Sequence, residues 1–174
     1  RFKRFLSAVI AATILFTTCN AAGVQVFDVN TVIEAENALT NNAVIRCADK
    51  RASGGVYLKS TAAAITNSKN IKIEDFSWLI NIPEANEYHV FLRAYFSSSS
   101  YDALFYRFNS DEWVKSETGA TPDGFVWVQL GSASLNKGIN KLKINHSEYN
   151  GWIDALYITS GSGKPPENLE GVEP

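Results

Sequence analysis

The chain has 174 residues, of which 45% are hydrophobic, 20% charged and 12% aromatic, and its formal net charge is −2. This length and composition are typical of one globular domain with a core of ordinary size. The slightly acidic balance argues against nucleic acid as a partner, because nucleic-acid binding needs a basic surface.

Residues 1–22 have the order of a secretory signal peptide. Basic residues at the start precede an apolar run from Phe5 to Phe16, and small residues follow it. The run is shorter than the about 20 apolar residues that a membrane-spanning helix needs. We therefore expect a cleaved signal peptide, a secreted protein and no membrane span. Cys19 leaves a lipid-anchored form at the cell surface open as an alternative.

Residues 23–160 are predicted to be short strands separated by turns. The candidate strands in chain order are NTVIEAEN, NAVIRCA, GGVYLKS, NIKIEDFSWLINI, EYHVFLRAYF, ALFYRF, GFVWVQL, NKLKINH and GWIDALYIT. Several alternate apolar and polar residues or are rich in β-branched and aromatic side chains. Only IEAENAL could instead form a short helix. This spacing predicts an all-β domain, an antiparallel β-sandwich.

Residues 161–174 differ from the rest of the chain. They read GSGKPPENLEGVEP and contain few apolar side chains. Such a composition is typical of an extended linker or tail, which would connect the domain to a further module.

Two glutamates, Glu34 and Glu36, lie two positions apart in the first predicted strand. Side chains two apart on a strand point to the same face. The two carboxylates would repel each other, and each would raise the pKa of the other, unless a cation lies between them. Carboxylate oxygens are the ligands that Ca²⁺ prefers, so the pair indicates a calcium site.

A third acid, Asp154, lies in the apolar stretch GWIDALYIT, where an unpaired charge would be costly. If the first and last strands of the sandwich are neighbours, Asp154 lies near the two glutamates. The alternative is that these acids face solvent or pair with the nearby cations Arg46, Arg51 and Lys59.

Aromatic residues in polar loop stretches form the second candidate site. Exposed rings can stack on the apolar face of a sugar, while nearby amides and acids bind its hydroxyls. Tyr101, Trp113 and Trp152 are the predicted stacking rings, and Asp102 and Asn150 are the predicted polar contacts. The alternative is that these rings only cover the loops.

Catalysis has little support in the sequence. No GxSxG, HExxH or glycine-rich phosphate loop is found. The residues 146–148 read His-Ser-Glu, but a catalytic triad is a spatial arrangement and adjacency does not make one. Asp102 and Asp111 are a conceivable acid pair for glycoside hydrolysis. We expect the chain not to be an enzyme.

Five segments occur in an order that resembles carbohydrate-binding modules of families 6 and 35. They are IEAEN, RASGGVYL, EYHVFLRAYF, GFVWVQLGSASLNKGINKLKI and YNGWIDALYIT, and together they cover about residues 30 to 160. The resemblance departs from the family pattern at Trp152, where an asparagine is common.

The resemblance implies a galactose-binding-like β-sandwich with jelly-roll topology and a structural Ca²⁺. Glu34, Glu36 and Asp154 match the acids that bind the ion, and the backbone carbonyl near Arg51 is a further candidate ligand. The implied function is a secreted, non-catalytic module that binds a polysaccharide or oligosaccharide beside an attached or partner glycan-degrading enzyme. A protein-interaction or adhesion domain on the same sandwich is the alternative, and a small glycan-active enzyme is a third.

Overall fold

The computed structural model describes residues 18–19, 24–63, 67–98, 100–119, 124–147, 151–167 and 169. Within these residues, thirteen strands form two sheets, and three short 3-10 helices lie in the connections between strands. The strands are β1 (Thr18–Cys19), β2 (Gln25–Asp28), β3 (Val32–Glu34), β4 (Leu39–Thr40), β5 (Val44–Ala48), β6 (Val56–Ser60), β7 (Phe76–Ile82), β8 (Asn86–Tyr95), β9 (Ala103–Phe108), β10 (Val114–Glu117), β11 (Val126–Leu135), β12 (Gly138–His146) and β13 (Trp152–Ser160). The 3-10 helices are Ala35–Asn37, Ser53–Gly55 and Ser68–Asn70.

The strands form a β-sandwich of two sheets, so the predicted all-β class is confirmed. Sheet A has the order β1-β2-β7-β12-β9-β10, and β4 also pairs with β7. Sheet B has the order β11-β8-β13-β6-β5, and β3 also pairs with β13. All of these pairs are antiparallel except β2 with β7, which is parallel.

The core lies between the two sheets and follows the alternation of the central strands. On β7 the side chains of Trp78, Ile80 and Ile82 are buried, and on β8 those of Val90 and Leu92 are buried. Residues two apart on a strand share one face, so each central strand contributes one apolar row to the core.

Several predicted strands differ from the observed ones. The stretch NIKIEDFSWLINI forms a strand only over Phe76–Ile82, and β1, β2, β4 and β10 were not predicted. The first predicted strand ends at Glu34, because Ala35–Asn37 forms a 3-10 helix. The strand predicted as GFVWVQL continues to Leu135, because a shift in register between Gln129 and Gly131 lets β11 pair with β8 over a longer stretch.

The sandwich has two ends. At the Tyr95 end, β8 and β12 finish and β9 and β13 begin, since Trp152 pairs with Tyr95 and His146 pairs with Leu104. At the Trp113 end, the turn between β9 and β10 lies beside the start of β12.

The described part of the predicted tail packs on the outer face of sheet B. The indole N–H of Trp127 donates a hydrogen bond to the Pro166 carbonyl at 2.8 Å, and Leu169 is buried. A groove of about 680 Å³ lies between this segment and the strands, where Phe91 and Gln129 line it. Most of residues 161–167 are exposed, and the linker or tail stays a prediction.

Most of the predicted signal peptide, residues 1–17 and 20–22, lies outside the described residues. Thr18–Cys19 forms β1 and pairs with Gln25 and Val26. Across the described ranges no helix is long and apolar enough to cross a bilayer. The signal peptide and the lipid anchor stay predictions.

Candidate functional site

Asp154 is the extra residue of a β-bulge in β13. Ile153 pairs with Ala94 of β8 and Ala155 pairs with Arg93, so Asp154 has no opposite residue in β8. Along its other edge, β13 pairs with β6 up to Ile153 and with β3 from Ala155 onward. A bulge redirects a side chain and interrupts pairing, and here it places Asp154 where β3 and β6 meet.

The Asp154 carboxylate is fully buried and both of its oxygens accept hydrogen bonds. The backbone N–H of Ser53 donates to Oδ1 at 2.8 Å, and the guanidinium of Arg93 donates to Oδ2. The side chains of Arg93 and Asp154 are 5% and 0% exposed, respectively. Arg93 also donates to the Arg51 carbonyl at 3.3 Å. Two of the predicted calcium ligands, the Asp154 carboxylate and the Arg51 carbonyl, thus face Arg93.

Glu34 and Glu36 approach the loop that holds Ser53, but they are not placed by strand alternation. Glu34 ends β3, and Glu36 lies in the following 3-10 helix. The hydroxyl of Ser53 donates to Glu34 Oε1 at 2.7 Å. A Cβ added at Gly54, whose φ is +59°, would lie 3.4 Å from Glu36 Oε1. Glu34, Glu36, Ser53, Arg93 and Asp154 are together called the acid site below.

Burial disfavours the ionised carboxylates of the acid site. Burial raises the pKa of Glu34, and the neighbouring Glu36 raises it further, while Ser53 and Arg93 oppose the shift. Burial raises the pKa of Asp154 to about 6, despite the ion pair with Arg93. Oε2 of Glu34 and Oε2 of Glu36 are buried and accept no hydrogen bond from the described residues. Two buried, unpartnered carboxylate oxygens fit a hard cation such as Ca²⁺.

The third predicted acid does not complete a metal cluster in this arrangement. No group of three or more His, Cys, Asp or Glu side chains in the described ranges is placed to hold a metal ion. Two of the three predicted alternative partners bind other groups: Arg46 donates to the Glu36 backbone carbonyl at 2.5 Å, and Arg51 pairs with Asp49 at 2.6 Å. The calcium site stays a prediction with Glu34 and Glu36 as its centre.

Arg93 was missed by sequence reasoning. The sequence did indicate a buried ion pair here, because an arginine in the middle of the apolar stretch VFLRAYF needs an acidic partner once the strand is buried. Ser53 carried no such signal, since its role depends on a backbone N–H and a hydroxyl in a turn.

Trp152 lies in an aromatic cluster at the Tyr95 end. Its ring stacks on Tyr57 with centroids 4.6 Å apart and planes at 16°, and it contacts Tyr95 at 4.6 Å. Phe125 closes the cluster at 6.4 Å. Trp152 is half-buried, and its indole nitrogen finds no hydrogen-bond partner in the part of the chain that the structure describes. Sequence reasoning selected Trp152 but not the three rings around it.

Tyr101 and Asp102 lie in the loop before β9, also at the Tyr95 end. The Tyr101 side chain is 48% exposed, as a stacking ring requires. The Asp102 carboxylate is instead bound within the protein, because the backbone N–H of Gly119 donates to it at 2.6 Å. Asn150, the other predicted polar contact, lies outside the described residues.

Trp113 lies at the opposite end of the sandwich from Tyr101. The two are separated by the six residues of β9, about 20 Å of extended chain. The guanidinium of Arg107 lies over the Trp113 ring, 4.5 Å from its centroid. The structure does not bring Trp113 together with Tyr101 and Trp152.

The candidate catalytic groups are also held apart or engaged. Asp102 precedes β9 and Asp111 follows it, so the conceivable glycosidase pair lies at opposite ends. Nδ1 of His146 bonds to Asp75, and Nε2 lies 2.9 Å from the Ala63 carbonyl. Both ring nitrogens of His146 therefore serve the fold.

Comparison with known proteins gives a likeness in structure only. No family model matches the chain, and no curated protein matches it. A family 35 carbohydrate-binding module from Clostridium thermocellum is 18% identical, with a TM-score of 0.56 over 75% of this chain and 99% of that one. The family 35 module from Paenibacillus barcinonensis is 19% identical, with a TM-score of 0.57 over 76% of this chain and all of that one.

A multidomain protein shows the same likeness. The GH26-CBM35 β-(1,4)-mannanase of Podospora anserina is 18% identical, with a TM-score of 0.59 over 78% of this chain. The chain spans only 28% of the length of that enzyme. At these identities the likeness establishes the fold, a β-sandwich of the kind seen in family 35 carbohydrate-binding modules. The resemblance drawn from the five segments is thus confirmed at the level of fold.

Proposed function

We propose that this domain is a non-catalytic carbohydrate-binding module with a structural calcium ion. The observation that carries the proposal is the match to two isolated family 35 modules over nearly their whole length, 99% and 100%. The order of the five sequence segments supports the same reading. The separation of Asp102 from Asp111 and the engaged ring of His146 favour binding over catalysis.

The sugar site is proposed at the Tyr95 end. Tyr101 offers an exposed ring that can stack on the apolar face of a pyranose. The cluster of Trp152 with Tyr57 and Tyr95 lies at the same end and provides a rigid apolar wall. Asn150 would bind a sugar hydroxyl. Asp102 would act mainly by holding the loop that carries Tyr101, because its carboxylate already accepts the Gly119 N–H.

Calcium would be held by Glu34 and Glu36 through their buried, unpartnered oxygens. The ion supplies positive charge and no reaction chemistry. It would lie where the end of β3 meets the loop before β6, beside Asp154 of β13, which pairs with Arg93 and is the candidate third ligand. A ligand that binds only the folded state stabilises it.

Secretion and a role beside an enzyme belong to the same proposal. A module that binds a polysaccharide raises the local concentration of any attached or partner glycan-degrading enzyme. The mannanase of Podospora anserina, as its name states, combines a family 35 module with a hydrolase in one chain.

The test is retention of the protein on a panel of immobilised polysaccharides in affinity gels, with calcium and with chelator. Tyr101→Ala should abolish retention without changing the melting temperature, because the ring is 48% exposed. Trp113→Ala is the matched control, since it removes a ring from the other end. Retention lost in Trp113→Ala alone would move the site to the Trp113 end. No retention on any glycan by the folded protein would favour the protein-interaction alternative.

A further inference from the structure

A second cleft lies on the sheet A side of the Tyr95 end, where β12 finishes at His146. It has a volume of about 430 Å³. Four asparagines share its lining, namely Asn41, Asn42, Asn70 and Asn145. This asparagine cleft has no part in the function proposed above.

The floor of the asparagine cleft carries an unsatisfied acceptor. Asn145 is 1% exposed, and its Nδ2 donates to the Ile73 carbonyl at 2.8 Å. Its Oδ1 is buried and accepts no hydrogen bond from any described residue. A buried polar atom without a partner destabilises the fold, because it has lost its bonds to water and gained none in return. The floor therefore favours a ligand that can donate a hydrogen bond there, which a carboxylate or a phosphate dianion cannot.

The groups behind the floor are fixed in place. Asp75 bonds to His146, and Asn41 Nδ2 donates to Asp75 Oδ1 at 2.8 Å. Asp75 and His146 are 2% and 5% exposed. A paired and buried network of this kind holds the cleft in one conformation. Little conformational entropy is therefore lost when a ligand binds.

The lining of the cleft combines the amides with one cation, Lys72, and one large apolar side chain, Ile73, and a second hollow adjoins it. Ile73 is 62% exposed, an unusual position for a large apolar side chain that is not buried against another element. A smaller hollow of about 140 Å³ shares Asn41 and Ile73 with the cleft and reaches Leu39, which is 47% exposed. The two hollows therefore adjoin each other at Asn41 and Ile73.

We propose that the asparagine cleft is a second carbohydrate site, which binds an uncharged oligosaccharide. One ring would lie on Ile73, one hydroxyl would donate to Asn145 Oδ1, and the exposed amides of Asn42 and Asn70 would bind further hydroxyls. The next ring would reach Leu39. The combination of side-chain amides with an exposed apolar surface matches a sugar, which presents hydroxyls on its edge and C–H groups on its face. This inference rests on the proposed function, but it concerns different residues.

The test is titration of the full ¹⁵N-labelled chain with uncharged gluco-, manno-, xylo- and galacto-oligosaccharides of one to six rings, followed by NMR. The expected result is a set of shifting amides around Asn70 and Ile73, with an affinity that rises from one ring to three. Ile73→Ala and Asn70→Ala should each weaken this binding at least tenfold. The matched controls are Ile139→Ala, at the start of β12, and Asn136→Ala, in the turn before it; both residues are exposed and lie at the other end of β12 from Asn145.

Three outcomes are distinguishable. Loss of binding in the two cleft variants, with Tyr101→Ala unaffected at this site, supports the second site. Binding that is abolished by Tyr101→Ala and unchanged in Ile73→Ala and Asn70→Ala overturns the second site and leaves the proposed function standing. If no oligosaccharide shifts any amide of the folded protein, the second site is overturned, and the polysaccharide gels decide the proposed function separately.

Discussion

Replacing Arg93 with methionine is expected to destabilise the fold strongly, because it leaves the Asp154 carboxylate buried without its counter-charge. The two side chains are 5% and 0% exposed, so water screens their interaction little. Removing one partner of a buried ion pair costs about 3–5 kcal/mol in the free energy of unfolding. For a domain of this size that corresponds to a melting temperature lower by on the order of 10 °C.

The assay is urea unfolding at pH 7.5 of four proteins: wild type, Arg93→Met, Asp154→Asn and the double variant. Because each single change leaves the other group unpaired, the double variant should lose less than the sum of the two, by about 2 kcal/mol or more. Arg51→Met is the matched control. Its guanidinium is exposed and pairs with Asp49 at the surface, so its loss should be small.

Two outcomes would refute Arg93 as the main partner of Asp154. One is that the losses of unfolding free energy in the two single variants simply add in the double variant. The other is a loss below about 1 kcal/mol in Arg93→Met. Repeating the cycle with calcium and with chelator separates the two roles of Asp154. If the ion also binds Asp154, the loss in Arg93→Met should be smaller with calcium. If Asp154 serves Arg93 alone, calcium should stabilise wild type and Arg93→Met equally.

The remaining predictions concern pH and the tail. In chelator, the acid-site carboxyls stabilise the fold when they are protonated, because their pKa values are raised, and this stability is lost as the pH rises through those values. Calcium should therefore raise the melting temperature more at pH 7 than at pH 5. Equal gains at the two pH values would contradict the site. Burial opposes both shifts in the Asp75–His146 pair, yet the bond between them lowers the pKa of Asp75 and raises that of His146. The difference in unfolding free energy between wild type and His146→Gln should therefore be largest between about pH 4 and 6.5. It should shrink as the pH rises through the raised pKa of His146, and also as the pH falls through the lowered pKa of Asp75. A difference that does not change with pH would exclude the ion pair. Trp127→Phe removes the hydrogen bond from the indole N–H to the Pro166 carbonyl. It should speed cleavage after Glu167 by a glutamate-specific protease while the melting temperature stays the same. Trp113→Phe is the control and should leave the cleavage rate unchanged.

The main strands were predictable because burial leaves a period of two in the sequence. β8 and β13 are buried in the centre of sheet B, and their apolar rows were recognised. β10 was missed because Val-Lys-Ser-Glu is short, polar and exposed on an edge, where pairing with β9 rather than propensity makes the strand. The parallel pairing of β2 with β7 depends on contacts distant in sequence, which no local pattern records.

The acid site was predictable in its members but not in its contacts. The spacing of Glu34 and Glu36 and the apolar setting of Asp154 identified the three acids. The bulge that turns Asp154 towards Arg93 depends on how β13 matches two other strands at once. The same limit explains Trp113, because loop composition cannot tell which end of a sandwich a loop belongs to.

The acid site also has a consequence for the order in which the protein folds. Asp154 bonds to a residue 101 positions earlier, Ser53, and to one 61 positions earlier, Arg93. Closing such long loops is slow, and contacts of this range form after local hairpins. The carboxylates of β3 and β13 therefore meet only when the last strand docks. A cation held there as proposed would act on the completed fold, so it should slow unfolding and leave the rate of folding nearly unchanged.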